Sequence, residues 1–243
     1  MMIKKNSDKF VGITQRENED RHKKVLKFFS KYRFSTILDV GCGDGNFSIL
    51  LKEACGAREV YGIEISEKGV ELARKKGVKC FRLDIDEEDF PFEDNYFDAV
   101  FAGEIIEHLF DPDHFLDEVY RVLKPRGIFS LTTPNLASIY NRIALLLGYQ
   151  PFLMNPSLRY PIGHLYEPLY YQEPIPGSDH IKLFTYRSLI QLLKIHNFKV
   201  IKTIGARSIS KKVGFGSLIN IIDMLIVRIP SLSHRLVVVC ERK

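Results

Sequence analysis

The chain has 243 residues, of which 45% are hydrophobic, so it is long enough and apolar enough to fold around one sizeable core. Its four cysteines form no C-x-x-C pair. It shows neither a signal-peptide pattern nor an apolar run of the roughly 18 residues that a membrane span requires. These features argue against a membrane-spanning protein and favour a reducing environment, so we expect a cytoplasmic protein.

Charge is distributed unevenly around the net value of +5. Lys and Arg outnumber Asp and Glu by 10 to 4 in residues 1–33 and by 12 to 2 in residues 181–243, whereas the acids lead by 24 to 13 in residues 34–180. Basic ends can mark an anionic partner, either a nucleic acid or phospholipid head groups. Alternatively, the ends fold back onto the acidic central part and the exposed lysines are solvated.

The chain begins with a loose arm and a helix. Residues 1–15 lack apolar periodicity, whereas residues 16–32 repeat apolar side chains at helical spacing between basic ones. A basic amphipathic helix can lie on a membrane surface. The apolar face of this helix is short, however, and therefore favours packing against the rest of the protein.

The stretch from Thr36 to Leu51, TILDVGCGDGNFSILL, combines a strand, a tight turn and a helix. The apolar run 37–40 predicts the strand, three alternating glycines predict the turn, and the apolar residues of 47–51 predict the helix. Glycine admits positive φ and has no Cβ, so a turn of this composition lets the backbone touch a ligand.

The string DVGCGDG, residues 39–45, resembles the D/E-x-G-x-G-x-G signature of class I S-adenosylmethionine-dependent methyltransferases. A dinucleotide fingerprint would need glycine at position 46, where this chain has Asn46. The resemblance implies S-adenosylmethionine as cofactor and an α/β fold. The expected fold is a Rossmann-like, doubly wound, seven-stranded sheet with an antiparallel last strand, an N-terminal helix and a lid insertion.

The resemblance also implies a single domain, residues 1–243, in four parts. These parts are an N-terminal arm and helix (1–33), a cofactor-binding body (34–134), an acceptor lid (135–180) and a C-terminal part of the sheet (181–243) with a helical insertion (207–234). Further strands are expected at 59–65, 78–83, 95–101, 128–133, 198–206 and 236–241, and helices at 67–76, with Ser66 as its N-cap, 115–123 and 185–196. The lid would hold an apolar helix at 139–147 and a loop with Tyr149, Tyr160, Tyr166, Tyr170 and Tyr171. The insertion repeats Leu218, Ile221, Ile222, Leu225, Ile226 and Ile229 at helical spacing.

Glu64 ends the second predicted strand about 20 residues after the glycine turn, where a carboxylate can accept hydrogen bonds from both ribose hydroxyls. The resemblance implies that Asp39 and the glycine turn hold the methionine end of the cofactor, and that Asp84, or Ile85 beside it, recognises adenine. The complete expected cofactor-binding set is Asp39, Gly41, Cys42, Gly43, Gly45, Glu64, Ile65, Asp84, Ile85 and Ala102.

The segment EIIEH, residues 104–108, follows the fourth predicted strand. On a helix, Glu104, Glu107 and His108 would project from one face beside the sulfonium, as candidate catalytic residues. Together with His180 they could hold Mg²⁺ or Mn²⁺, an arrangement that resembles small-RNA 3′-terminal 2′-O-methyltransferases. Alternatively, His108 is a general base, or the group only braces the loop and transfer proceeds by alignment.

The expected activity is methyl transfer to oxygen of a small, partly hydrophobic acceptor. The lid is aromatic and apolar, and the N/D-P-P-Y motif typical of nitrogen methylases is replaced here by Ala102-Gly103-Glu104. Two alternatives stay open. The basic ends and the Glu/His group favour a metal-assisted RNA 2′-O-methyltransferase, and a non-catalytic cofactor-binding module is the other.

Overall fold

A computed structural model describes residues 20–157, 160, 162–165, 180–207 and 223–243. Predictions for the N-terminal arm, most of the tyrosine-rich loop and the first half of the later insertion lie outside these residues. They concern residues 1–19, Tyr166, Tyr170, Tyr171, Leu218, Ile221 and Ile222. None of the helices in the described ranges combines the length and the hydropathy that crossing a bilayer would need.

Seven strands form a central sheet: β1 (Thr36–Val40), β2 (Glu59–Glu64), β3 (Lys79–Arg82), β4 (Phe97–Gly103), β5 (Leu123–Pro134), β6 (Phe198–Ala206) and β7 (Arg235–Arg242). Their order across the sheet is β3-β2-β1-β4-β5-β7-β6. The pairs from β3 to β5 are parallel, and β7 is antiparallel to both β5 and β6. The predicted doubly wound sheet with an antiparallel last strand is thus confirmed.

The α-helices with assigned bounds in the described residues are α1 (Asp20–Phe29), α2 (Asn46–Cys55), α3 (Glu67–Lys75), α4 (Pro112–Val122), α5 (Ile139–Leu146) and α6 (Tyr186–Ile195). The predicted cap of α3 is confirmed, because the Ser66 hydroxyl accepts a hydrogen bond from the Gly69 N–H at 3.1 Å. α4 begins before the predicted residue 115. Its start is set by Asp111, which accepts hydrogen bonds from the N–H groups of Asp113 and His114 at 3.1 and 3.0 Å.

Helices cover both faces of the sheet, so each face carries its own hydrophobic cluster. In β1, Leu38 and Val40 belong to one cluster and Ile37 to the other. Burial on both faces explains why β1 has apolar residues at consecutive positions, Ile37 and Leu38, instead of a strict alternation with polar ones. Val40 pairs with Ile63 of β2 and with Ala102 of β4, so the carboxyl ends of three strands lie level at one edge.

Candidate active site at the carboxyl edge of the sheet

The glycine turn after β1 has a backbone that glycine alone fits without strain. Gly41 and Gly45 have φ values of 72° and 79°, and a Cβ on Gly41 would lie 2.1 Å from Cδ1 of Ile105. The Gly41 N–H donates to the Ile63 carbonyl at 2.8 Å, which fixes the turn to the end of β2. The turn is therefore held closely at the sheet edge.

The Cys42 side chain packs against the sheet. Its Sγ lies 3.4 Å from Sγ of Cys80, and both thiols are buried and free. The Cys80 thiol and burial raise the pKa of Cys42 well above its usual range, so this thiol stays protonated.

Asp39 is a buried carboxyl directly before the glycine turn, with 3% of its surface exposed. Its Oδ2 accepts a hydrogen bond from the Ser48 hydroxyl at 2.6 Å. Burial raises the pKa of Asp39 to about 7, opposed by the Ser48 hydrogen bond and reinforced by the negative charge of Glu64. A cationic ligand at this edge would favour the ionised form of the group.

The Glu64 carboxylate links the glycine turn to the loop after β2. Its Oε2 accepts a hydrogen bond from the Gly43 N–H at 2.9 Å, and its Oε1 accepts one from the Ser66 N–H at 2.9 Å. These bonds orient the carboxylate at the carboxyl end of β2. A carboxylate has about four acceptor sites, so a group of this kind can accept hydrogen bonds from several donors at once, including the hydroxyl groups of a ligand.

The other expected cofactor residues lie along the same edge. Ile65 directly follows β2, and Ala102 is buried near the end of β4. Asp84 follows β3, where its Oδ1 accepts a hydrogen bond from the Asp86 N–H at 3.2 Å, and Ile85 packs against the core. The sheet thus brings together side chains that are far apart in the sequence.

Glu104 does not share a helical face with Glu107 and His108, so that prediction was wrong. Glu104 follows β4 with a φ of 57°, and only a short 3₁₀ turn, Ile106–His108, begins after it. Without a continuous α-helix, the i, i+3, i+4 spacing does not bring the three side chains to one face. The predicted group therefore separates into two sites.

Glu104 binds arginines from both basic ends of the chain. It forms ion pairs with Arg21 of α1, at 2.8 Å, and with Arg235 of β7. One residue further along α1, the His22 ring lies 4.4 Å from the Phe47 ring of α2. At these positions the basic ends fold back onto the acidic body, as one of the two interpretations of the charge distribution predicts.

Glu107, His108 and His180 form the second site, which we call the Glu-His cluster. Their potential ligand atoms all lie within 4.8 Å of one another, and the two imidazole rings are 4.8 Å apart. The N–H groups of Ile181 and Lys182 donate to the Glu107 carbonyl at 2.8 and 3.0 Å. These bonds hold the segment that carries His180 against the 3₁₀ turn.

The Glu-His cluster contains one buried acceptor atom that is set for a further partner, Oε1 of Glu107. Glu107 is 0% exposed, and burial raises its pKa. Its Oε2 accepts from the Thr133 hydroxyl at 2.9 Å, while its buried Oε1 has no hydrogen-bond partner among the described residues. His180 Nδ1 lies 2.8 Å from the Leu153 carbonyl. A carbonyl can only accept, so Nδ1 carries a proton and Nε2 of a neutral ring is an acceptor.

Comparison with known proteins identifies the fold to which this edge belongs. Residues 38–131, from β1 into β5, match the family described as a methyltransferase domain. This stretch contains the glycine turn, Glu64, Asp84 and the 3₁₀ turn. This match and the two relatives described below support the class I S-adenosylmethionine-dependent methyltransferase superfamily. The relationship suggested by the DVGCGDG string is confirmed.

Curated relatives match this chain over part of their length. An S-adenosylmethionine-dependent methyltransferase of Mycolicibacterium smegmatis is 35% identical over 102 residues, which are 41% of this chain and 38% of that protein. Demethylmenaquinone methyltransferase of Staphylococcus aureus is 35% identical over 133 residues, which are 52% of this chain and 54% of that protein. The chain therefore spans about half the length, or less, of these curated relatives.

A solved structure has a similar fold. The complex between the Haloferax volcanii Trm112 methyltransferase activator and a methyltransferase aligns with a TM-score of 0.66 and 18% identity. The alignment covers 98% of this chain and 96% of that one. At this identity the likeness shows a shared fold.

Sequence reasoning missed the residues that support the side chains of the candidate site. Ser48 binds Asp39, Thr133 binds Glu107, and Arg21 and Arg235 bind Glu104. Each partner is brought close by tertiary packing, so spacing in the sequence carries no signal for it. Ser48 is the one exception, because it is a hydroxyl residue within the otherwise apolar stretch Phe47–Leu51 of α2.

We expect Asp39→Asn to change how the stability of the cofactor-free protein depends on pH. The pKa of Asp39 is about 7 in the folded protein against an ordinary 3.8. The native state thus keeps a proton that the unfolded chain releases, and the wild type loses stability as pH rises between these values, by about 4 kcal/mol in full. The variant cannot titrate. Urea unfolding measures the free energy of unfolding of both proteins. The value for the variant minus that for the wild type should increase by about 2 to 3 kcal/mol between pH 5 and pH 8.

Asp98→Asn is the matched control for this pH measurement. Although burial acts to raise it, hydrogen bonds from Lys124, Thr36 and Ser35 hold the pKa of Asp98 below its ordinary value. Asp98 is therefore ionised in both states across this range, and the effect of its substitution should be the same at both pH values. Parallel pH curves for the wild type and Asp39→Asn would contradict the burial effect assigned to Asp39.

Proposed function

We propose that this chain transfers the methyl group of S-adenosylmethionine to a hydroxyl oxygen of a small, partly hydrophobic acceptor. The observation that carries the proposal is the Glu-His cluster, which lies directly after β4 at the edge that carries the glycine turn. An imidazole placed beside an acceptor hydroxyl can remove its proton as the oxygen attacks the methyl group. Superfamily membership supports the methyl donor.

Different residues along the carboxyl edge would bind different parts of the cofactor. In this proposal the glycine turn and Asp39 hold the methionine end, where the positive charge of the sulfonium and ammonium groups favours ionised Asp39. Glu64 accepts hydrogen bonds from the ribose hydroxyls, and Asp84 with Ile85 contacts adenine. Since the described elements pack on one sheet, we interpret residues 1–243 as one domain.

His108 is our candidate general base. The ring of His180 and the carboxylate of Glu107 lie against it, so its orientation is constrained. The sulfonium is already an activated methyl donor, and alignment of donor and acceptor can supply about 7 to 11 kcal/mol. Proton removal by His108 would then add typically 10²- to 10⁴-fold.

The apolar surface of α5 supports a hydrophobic acceptor. Ile143, Leu145, Leu146 and Leu147 are 46%, 56%, 86% and 57% exposed on or directly after this helix of the lid. Apolar contacts line most small-molecule sites, with few polar groups for orientation. The Staphylococcus aureus relative is named for demethylmenaquinone, which makes a lipophilic quinol a sensible first acceptor to test. The four buried free thiols fit the cytoplasmic location that we propose.

A second candidate function, metal-assisted methylation of RNA 2′-hydroxyls, is favoured by the unsatisfied Oε1 of Glu107. Glu107, His108 and His180 offer one carboxylate and two imidazoles, a donor set that suits Mn²⁺ better than Mg²⁺. The hydrogen bond from His180 Nδ1 to a carbonyl is the support that metal-binding histidines usually have. A bound divalent ion would position the acceptor hydroxyl oxygens and stabilise their negative charge. Glu104 would not belong to this site, because it binds Arg21 and Arg235.

Acceptor-dependent formation of S-adenosylhomocysteine tests both candidates. The acceptors are a prenylated hydroquinone, a simple catechol and a short RNA with a free 3′-terminal diol, each with and without chelator. The first candidate predicts chelator-resistant turnover of a phenolic acceptor, with carbon-13 NMR of the labelled product showing a methoxy carbon. RNA turnover that chelator abolishes and Mn²⁺ restores would select the second. Cofactor binding without turnover of any acceptor would favour the non-catalytic module.

A further inference from the structure

A cavity of about 350 Å³ lies at the amino-terminal edge of the sheet, opposite the glycine turn. It is bounded by residues 33–35 before β1, by Asp98 near the start of β4, and by residues 124–127 of β5. Its volume is within the range of small-molecule sites, about 300 to 1,000 Å³. The proposed methyl-transfer site uses none of these residues.

The β5 side of the cavity is a bulge in the sheet. Phe97 pairs with Leu123 and Ala99 pairs with Ile128, so a step of two residues on β4 corresponds to five on β5. β5 therefore has three residues more than β4 over this stretch. Its segment 124–127 leaves the regular hydrogen-bonding pattern of the sheet and lines the cavity. Bulges are over-represented next to functional sites, where they redirect a side chain.

Arg126 in this bulge has a strained backbone. Its φ is 65°, in the left-handed region that disfavours residues with a Cβ. The next residue is Gly127. A Cβ at that position would lie 2.8 Å from the Lys124 carbonyl oxygen, so contacts in the bulge require glycine there. Position 126, in contrast, carries a large side chain despite its positive φ. Strain of this kind is typical of positions where the placement of a side chain matters.

The cavity carries an excess of positive charge. Its lining includes Arg33, Lys124 and Arg126 against one acid, Asp98, which gives a net charge of 3 − 1 = +2. Lys124 Nζ pairs with Asp98 at 2.6 Å. Arg33 and Arg126 are exposed and have no ion pair among the described residues. Two guanidinium groups therefore border the cavity without a neutralising carboxylate.

We propose that this cavity binds a small phosphate-bearing ligand. The Arg33 and Arg126 guanidinium groups match the planar, bidentate geometry of phosphate oxygens. Phe34 and Pro125 line the same cavity and offer apolar contact to the rest of the ligand. The bulge and the strained Arg126 backbone place one of the two cations. The inference is independent of the proposed methyl transfer, because the two sites lie at opposite edges.

The test is calorimetric titration of the full chain saturated with S-adenosylhomocysteine, which keeps the nucleotide probes out of the cofactor site. The probes are pyrophosphate and uridine monophosphate at low salt, with uridine as the uncharged control. Both phosphates should bind and uridine should not. Arg33→Gln and Arg126→Gly should each weaken binding at least tenfold. Arg126→Gly should also raise Tm by about 2 °C, since glycine relieves the positive φ.

Lys75→Gln is the matched control, because it removes one positive charge from an exposed position of α3 outside the cavity. It should leave phosphate binding unchanged. Three results would overturn the proposal. Arg126→Gly could bind the phosphates with wild-type affinity, Lys75→Gln could lose as much phosphate affinity as the arginine variants, or the wild type could fail to bind either phosphate. Uridine binding as tightly as its monophosphate would also overturn it. If Arg126→Gly folds poorly, Arg126→Gln tests the same loss of charge with the bulge backbone retained.

Discussion

Glu64→Ala is expected to weaken S-adenosylmethionine binding roughly tenfold to a hundredfold. Under the proposed function, the carboxylate accepts charge-assisted hydrogen bonds from the ribose hydroxyls, worth roughly 1.5 to 3 kcal/mol. The variant also releases the N–H groups of Gly43 and Ser66, so the glycine turn loses an anchor. Calorimetric titration with S-adenosylmethionine and S-adenosylhomocysteine measures the effect, and circular dichroism checks the fold.

Glu59→Gln is the matched control for Glu64. It removes the same charge from the opposite end of β2, where Glu59 pairs with Lys79, and it should change cofactor affinity less than about twofold. A 2′-deoxy analogue of S-adenosylhomocysteine separates ribose recognition from anchoring of the turn. The wild type should bind the analogue more weakly than S-adenosylhomocysteine. Glu64→Gln should bind the two compounds with nearly the same affinity, because the partner of the 2′-hydroxyl is already removed. Unchanged affinity in Glu64→Ala would remove the ribose assignment.

His108→Gln is expected to lower kcat about 10²- to 10⁴-fold while the affinity for S-adenosylmethionine stays near the wild-type value. The variant keeps a side chain of similar polarity but cannot accept the proton of the acceptor hydroxyl. Single-turnover kinetics with the acceptor found in the panel measures the chemical step. His180→Gln should cost much less under general-base catalysis, whereas a metal mechanism predicts comparable losses and a dependence on Mn²⁺ for both variants.

His114→Gln is the histidine control, since His114 lies in the first turn of α4 and faces Asp89 at 3.8 Å. Its kcat should match the wild type. Two outcomes would count against His108 as the base. One is a kcat of His108→Gln within about threefold of the wild type. The other is a loss of kcat accompanied by a lowered Tm, which would indicate that His108 has a structural role.

Local patterns in the sequence predicted most of the sheet and the glycine turn of the candidate site. β1 and the glycine turn were found because an apolar run, positive-φ glycines and an apolar helix follow one another within residues 36–51. β6 was predicted with its observed bounds, Phe198–Ala206. These elements depend on neighbours in the chain, and their signals therefore lie within a few residues.

The arrangement of the Glu-His cluster could be predicted only in part. Glu104 was grouped with Glu107 because the prediction assumed a helix after β4, whereas the backbone turns at Glu104 through a left-handed conformation. The ion pairs from Arg21 and Arg235 that hold Glu104 come from the two ends of the chain. Such contacts arise from the register of the folded sheet, which no short stretch of sequence encodes. His180 was proposed from the resemblance, and its approach to His108 depends on the same long-range packing.

The position of β7 has a consequence for synthesis of the chain. β1 to β5 pair with one another, so the sheet of residues 36–134 can form as soon as it leaves the ribosome. Among the strands that the structure describes, β6 has β7 as its one neighbour in the sheet, and residues 207–234 must be translated between them. During that interval β5 and β6 each present an unpaired strand edge that invites aggregation. The rate of translation through this insertion would therefore set how long a chaperone has to shield the nascent protein.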